Sequence, residues 1–187
     1  MNAAQNVTRL TVEEYLEGEK QSEVRHEYIG GEVYAMAGAS QKHNTICGNI
    51  FAALHSHLRG KPCQAFVADL KVRLSLGHND IFYYPDVMVA CDPRDKNPYF
   101  RQFPQVIFEV VSESTERTDK REKFISYTQI ETLQEYVLVE QDRSQVTIFR
   151  RENHWQPELL QLPTDEMRIP SLDFSQPLAS IYERATN

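Results

Sequence analysis

Tyr84-Pro85-Asp86-Val87-Met88-Val89 and, further on, Val106-Ile107-Phe108-Glu109-Val110-Val111 decide how this chain is read. Each is a short apolar run that carries one acid, with the length and composition of a buried strand. Pro85 has no N–H to give to a ladder, so it marks a strand start or an edge and leaves Asp86 at the head of the strand. Glu109 lies inside its run, where an ionised carboxylate without a partner costs on the order of several kcal/mol. The expected compensation is a cation, a basic side chain or a place at the rim of the sheet. Two carboxylates on neighbouring strands can share one Mg²⁺, which takes hard oxygen ligands and keeps waters or phosphate oxygens in the remaining positions. Glu27, flanked by His26 and Tyr28, could reach the same cluster from the other side.

Working outward, residues 1–10 form a loose lead-in, and Thr11 with Glu14 has capping-box spacing for a short helix. Two β-prone runs flanking Gly30-Gly31, between Arg25 and Met36, predict a hairpin. Ile46, Ile50, Ala53, Leu54 and Leu58 repeat at helical spacing, predicting a helix from Ser40 to Arg59 that ends at Gly60. Strands are predicted over Gln64–Leu74, Phe82–Ala90, Val106–Val111, Glu135–Glu140 and Val146–Arg150, the last two joined by a turn at Gln141–Ser144. A second helix is predicted over Thr118–Ile130, a short strand near Glu158–Leu162 and a helical turn at Leu178–Glu183. The segment Pro93–Pro98 reads as a surface loop. With no internal repeat, the expectation is an α/β or α+β fold, one domain over 1–187, built around a central mixed sheet.

The 187 residues, 41% hydrophobic and 25% charged, suit one globular domain with a core of its own. Lys and Arg number 20 against 27 Asp and Glu, a net charge of −7 that argues against strong non-specific binding to nucleic acid. It does not exclude a nuclease, since a carboxylate site for a divalent cation lowers net charge by itself. Cys47, Cys63 and Cys91 form no CxxC pair and are odd in number, which predicts three reduced thiols. No signal peptide or membrane span is evident, so the cytoplasm is the expected location.

In this order the pieces resemble a bacterial restriction-endonuclease-like family, often left as a domain of unknown function, within the PD-(D/E)XK nuclease superfamily. The matching pieces are Arg9-Leu-Thr-Val-Glu-Glu-Tyr-Leu16, Arg25-His-Glu-Tyr-Ile-Gly-Gly-Glu-Val33, Tyr84–Val89 and Phe108-Glu-Val-Val-Ser-Glu-Ser-Thr115. Asp119 with Lys123 and Tyr127, and then Glu135-Tyr-Val-Leu-Val139, complete them. The resemblance implies a mixed sheet flanked by helices, with metal held at Glu27, Asp86 and Glu109. It implies a Mg²⁺-dependent endonuclease (Mn²⁺ as substitute) that hydrolyses phosphodiesters, with DNA as the substrate and a homodimer as the working unit. The superfamily lysine falls two residues after Glu109, where this chain has Val111. Lys123 is the favoured substitute for orienting water, and Lys71 in Asp69-Leu-Lys71 is the other.

Each residue also has a plainer reading. Asp86 could cap a turn, Glu109 could pair with a base at an edge, Glu27 could face solvent, and Lys123 could be a solvated helix lysine paired with Asp119. His55 and His57, two apart on a helix, point to different faces; with His43 they are read as structural or surface histidines rather than zinc ligands. Ser112, Ser114 and Thr115 lack a nucleophile elbow and read as a loop capping the next helix. Tyr83 and Tyr84 read as packing. The rival function is a non-catalytic nucleic-acid-binding or dimeric assembly protein that keeps the fold. A weaker rival is a dimerisation module using the Glu135–Glu140 strand and the hairpin after it as a sheet edge.

Overall fold

The structure, a computed structural model, describes residues 9–112 and 118–185 and, over 118–120, the backbone alone. Thr11 opens α1 (Val12–Gln21) with both halves of its capping box formed. The hairpin β1 (His26–Ile29) and β2 (Glu32–Ala35) turns at Gly30 and Gly31, both at positive φ, as a tight two-residue turn requires. Ser40 caps α2 (Gln41–His57), accepting a hydrogen bond from the His43 amide. Then come β3 (Gln64–Val67), β4 (Lys71–Leu76), β5 (Asn79–Tyr83), β6 (Val87–Ala90), β7 (Phe100–Arg101) and β8 (Pro104–Val111). A π-helical turn at Thr118–Lys123 runs into α3 (Phe124–Tyr127). The remainder is β9 (Glu135–Glu140), β10 (Val146–Arg150), β11 (Pro157–Leu160), β12 (Glu166–Ile169), β13 (Phe174–Pro177) and α4 (Leu178–Ile181).

Among the described residues the strands form a six-stranded sheet, in the order β11-β10-β9-β8-β6-β3, and a five-stranded sheet, β2-β1-β5-β4-β7. The pair β12-β13 stands apart as a small hairpin. In the six-stranded sheet β8 and β9 run parallel and their other neighbours antiparallel, so the α+β expectation with a mixed sheet holds. Instead of one central sheet there are two, packed through a shared core. Alternation along β6 and β8 sends Val87, Val89, Phe108 and Val110 toward α2, where they meet Ile46, Ile50 and Leu54. Each of those three helix residues is fully buried, worth about 2 kcal/mol apiece. The other face sends Met88, Ile107 and Val111 against Ile81 of the five-stranded sheet and Tyr127 of α3.

Several expectations give way for tertiary reasons. The strands predicted over Gln64–Leu74 and Phe82–Ala90 each break in two and change sheets. Ala68 breaks the first at a left-handed φ of 59°, and Tyr84-Pro85-Asp86 breaks the second. The two breaks face each other, with the Ala68 amide donating to the Asp86 carbonyl at 3.0 Å. The helix predicted over Thr118–Ile130 is shorter and begins with π winding, a geometry that recurs where a helix must turn a side chain toward a site. The Glu135–Glu140 strand is not an edge: β8 flanks it on one side and β10 on the other, and β11 covers β10. Cys63 and Cys91 are joined by a disulfide, against the expectation of three reduced thiols. The register explains it, because Gln64 pairs with Ala90 and the next position outward sets the two cysteines opposite each other, Cα atoms 4.1 Å apart. Cysteine usage therefore no longer argues for a reducing compartment. No described helix is long and apolar enough to cross a membrane.

Candidate metal centre

The sheet switch at Tyr84–Asp86 makes the site. Asp86 stands one place before β6, and the antiparallel register pairs Val87 with Phe108, so Asp86 falls beside Glu109 of β8. The Val110 amide donates to Asp86 Oδ2 at 2.7 Å, a strong charge-assisted bond that fixes the carboxylate against the strand. Glu109 is 2% exposed. Its Oε1 accepts from the Tyr127 hydroxyl at 2.9 Å and lies 3.4 Å from Lys123 Nζ. The Tyr127 hydroxyl is held well above its usual pKa, by burial first and by the Glu109 charge second, so it remains a donor.

Lys123 reaches inward from the end of the π turn, and Tyr127 lies one helical turn beyond it on the same face. Its ammonium sits 3.0 Å from Glu27 Oε1 on β1 and 5.5 Å over the ring of Tyr83. That contact attracts the two charges but lacks hydrogen-bond alignment, so among the described residues the buried Glu27 Oε1 is answered by a charge and by no hydrogen bond. A hard carboxylate oxygen left in this state is suited to a cation. Glu27, Asp86, Glu109 and Lys123 all line one cleft of about 890 Å³, open to solvent between the two sheets and the amino end of α2. The structure thus brings the four side chains singled out in the sequence to the wall of one cleft, three of them carboxylates, the ligand chemistry that Mg²⁺ prefers.

Lys71, the other candidate, does not line the cleft. It is buried against the ring of Tyr84, 5.0 Å from its centre, and burial lowers its pKa. Val111 is fully buried in the core between the sheets. Tyr83 and Tyr84 are packed, not poised for stacking: Tyr83 meets Tyr127 edge-on, and the Tyr84 hydroxyl donates to Glu19 at 2.6 Å. Glu19 also holds His26 at 2.8 Å, so one buried acid braces the neighbours of both Glu27 and Asp86. Ser112 lines the cleft, whereas Ser114, Thr115 and the side chain of Asp119 lie outside the described residues.

Sequence reasoning missed the contribution of α2. His43 Nε2 lies 3.2 Å from Asp86 Oδ2, and Cys47 Sγ lies 3.5 Å from His43 Nδ1. Burial, with the Asp86 and Glu109 charges behind it, pushes the Cys47 thiol far up. The available signal was the i,i+4 spacing of His43 and Cys47, which sets both on one helix face. His57 is engaged elsewhere, with its Nε2 2.9 Å from the Leu172 carbonyl.

The fold is that of the restriction-endonuclease-like class. A crystal structure of "a putative nuclease belonging to DUF820" from Anabaena variabilis is similar with a TM-score of 0.75, at 18% identity, over 95% of this chain and 99% of that one. The chain belongs to the Uma2 family, described as "Putative restriction endonuclease", whose model matches residues 12–179. Two proteins of the cyanobacterium Synechocystis are similar along most of their length. "Uncharacterized protein slr1290" is 33% identical over 93% of this chain and 92% of its own. "Uncharacterized protein sll1609" is 38% identical over 71% of this chain and 75% of its own.

Proposed function

We propose that this protein is a Mg²⁺-dependent endonuclease that hydrolyses phosphodiester bonds in DNA, with Glu27, Asp86 and Glu109 as metal ligands and Lys123 serving the attacking water. The observation that carries this reading is that Glu27 and Glu109 pair with one buried ammonium, that of Lys123, at the wall of an open cleft that Asp86 also lines. Glu23, Glu27, Asp69, Asp86 and Glu109 line that cleft against Arg25 and Lys123. Such a lining repels a phosphate unless a cation accompanies it. A bound Mg²⁺, or Mn²⁺ in its place, supplies Lewis acidity toward a phosphate oxygen and lowers the pKa of a coordinated water.

The chain's own groups have separable tasks. Val110 N–H fixes Asp86, and Tyr127 O–H fixes Glu109, so two ligands are oriented before any ion arrives. Lys123, held between Glu27 and Glu109, has donors with which to position a water at the cleft wall. It takes the part that Val111, turned into the core, cannot take. The working unit on duplex DNA is a homodimer, one site per strand; light scattering checks the dimer.

The test compares the protein with its Asp86→Ala variant on plasmid, linear duplex and single-stranded DNA in Mg²⁺, Mn²⁺ or EDTA. Cleavage should need metal and disappear in the variant. An unimpaired variant would sink the assignment. Absence of cleavage by the folded protein under every condition would favour a non-catalytic binding protein that keeps the fold, with Val111 as the reason.

A further inference from the structure

We propose that the cleft holds a second cation position of different chemistry, in which His43, Cys47 and Asp86 bind a borderline-soft divalent ion of the zinc class. One ligand atom from each of these residues lies within 4.8 Å of the other two. A filled tetrahedral zinc site, with bonds of about 2.0–2.3 Å, has donor atoms roughly 3.3–3.8 Å apart, so small side-chain rotations close the set. His43 and Cys47 are one turn apart on α2, and both line the cleft with Asp86. Cys47 is 6% exposed and His43 and Asp86 about a fifth, so the ion would be shielded on the α2 side and open toward the cleft.

The donor set decides which ion. A nitrogen, a sulfur and one oxygen suit zinc, cobalt or cadmium and are a poor match for Mg²⁺, which prefers oxygen throughout. Glu27 and Glu109, which line the same cleft, offer oxygen alone and so the opposite preference. Three protein ligands leave a fourth position for water or a substrate group, the arrangement of an open zinc site rather than a closed structural one. On binding, the metal–sulfur bond forms as the Cys47 S–H bond breaks, and the proton leaves to solvent. The position shares Asp86 with the cleavage reading but does not rest on that reading.

Co²⁺ serves as a spectroscopic probe on metal-free protein, without reductant. Cys63 and Cys91 are joined, and Cys47 is the free cysteine, so a thiolate signal can be assigned. Wild-type protein should develop a near-ultraviolet thiolate-to-cobalt charge-transfer band that saturates near one equivalent. Zn²⁺ should abolish it, and Mg²⁺ at the same concentration should leave it. Cys47→Ser should lose the band, and His43→Gln should weaken Co²⁺ binding at least about tenfold, the lower end of what even outer partners of a metal ligand cost. Absence of the band in wild type, its persistence in Cys47→Ser or its displacement by Mg²⁺ would overturn the proposal. The wild-type competition needs no variant to fold. Neither nucleic acid nor turnover enters the measurement, so a null spectrum leaves the cleavage reading standing, and absence of cleavage leaves this one standing.

Discussion

Glu109 and Glu135 stand on neighbouring parallel strands, β8 and β9, and both are almost wholly buried, at 2% and 3% exposure. In sequence each is one acid in a short apolar β run, Glu109 inside its run and Glu135 at the head of its own. Their surroundings differ. Glu135 sits at the start of its strand, where Ser171 donates to it twice, from its amide at 3.1 Å and its hydroxyl at 2.5 Å. The hollow beside it is only about 130 Å³. Glu109 sits near the end of its strand, meets Lys123 and Tyr127, and opens with Glu27 and Asp86 into about 890 Å³. A buried acid is thus not by itself a site. Glu135 is answered by local donors, whereas Glu109 shares a single ammonium with Glu27.

The two acids should differ most in activity. Glu109→Gln keeps an acceptor for Tyr127 but removes the charge, and metal-dependent cleavage should fall at least about a hundredfold, or about 2.7 kcal/mol in barrier. Glu135→Gln should cleave as wild type does, and equal losses in both variants would erase the distinction. A second effect concerns stability. Lys123→Met withdraws the ammonium from between Glu27 and Glu109. Urea unfolding in EDTA should show a loss of about 3 kcal/mol, the usual result of removing one partner of a buried pair. Mg²⁺ should then recover more stability in this variant than in wild type, and equal recovery would count against the carboxylates as its ligands.

The smallest effect belongs to Glu135. Burial raises its pKa above the ordinary 4.5, with the Ser171 bonds and the Arg150 charge opposing. The folded state therefore holds this proton better than the unfolded chain does. Its contribution to stability is full below the ordinary value and declines as pH rises through the raised one. The amide introduced by Glu135→Gln does not titrate, so that variant should gain slightly on wild type as pH rises past the ordinary carboxylate value. Unfolding curves on either side of that value check the sign, and a gain toward acid would contradict it.

What the sequence alone determined is local. Thr11 with Glu14 set a helix start, the spacing of Ile46, Ile50, Leu54 and Leu58 set a second helix, Gly30-Gly31 set a hairpin, and Glu109 within Val106–Val111 marked a strand with an acid to be answered. Each signal depends on neighbours within a few positions and survives whatever the rest of the chain does. The tertiary structure decided where strands change sheets: nothing local marks Ala68 as a break, and Pro85, which marks a strand start, does not say that the residues before and after it pair in different sheets. It decided that Lys123, not Lys71, turns into the cleft, that Cys63 meets Cys91 through the β3–β6 register, and that α2 brings His43 and Cys47 against Asp86. Those outcomes join residues far apart in the chain, and periodicity does not record which distant partner will stand opposite a given side chain.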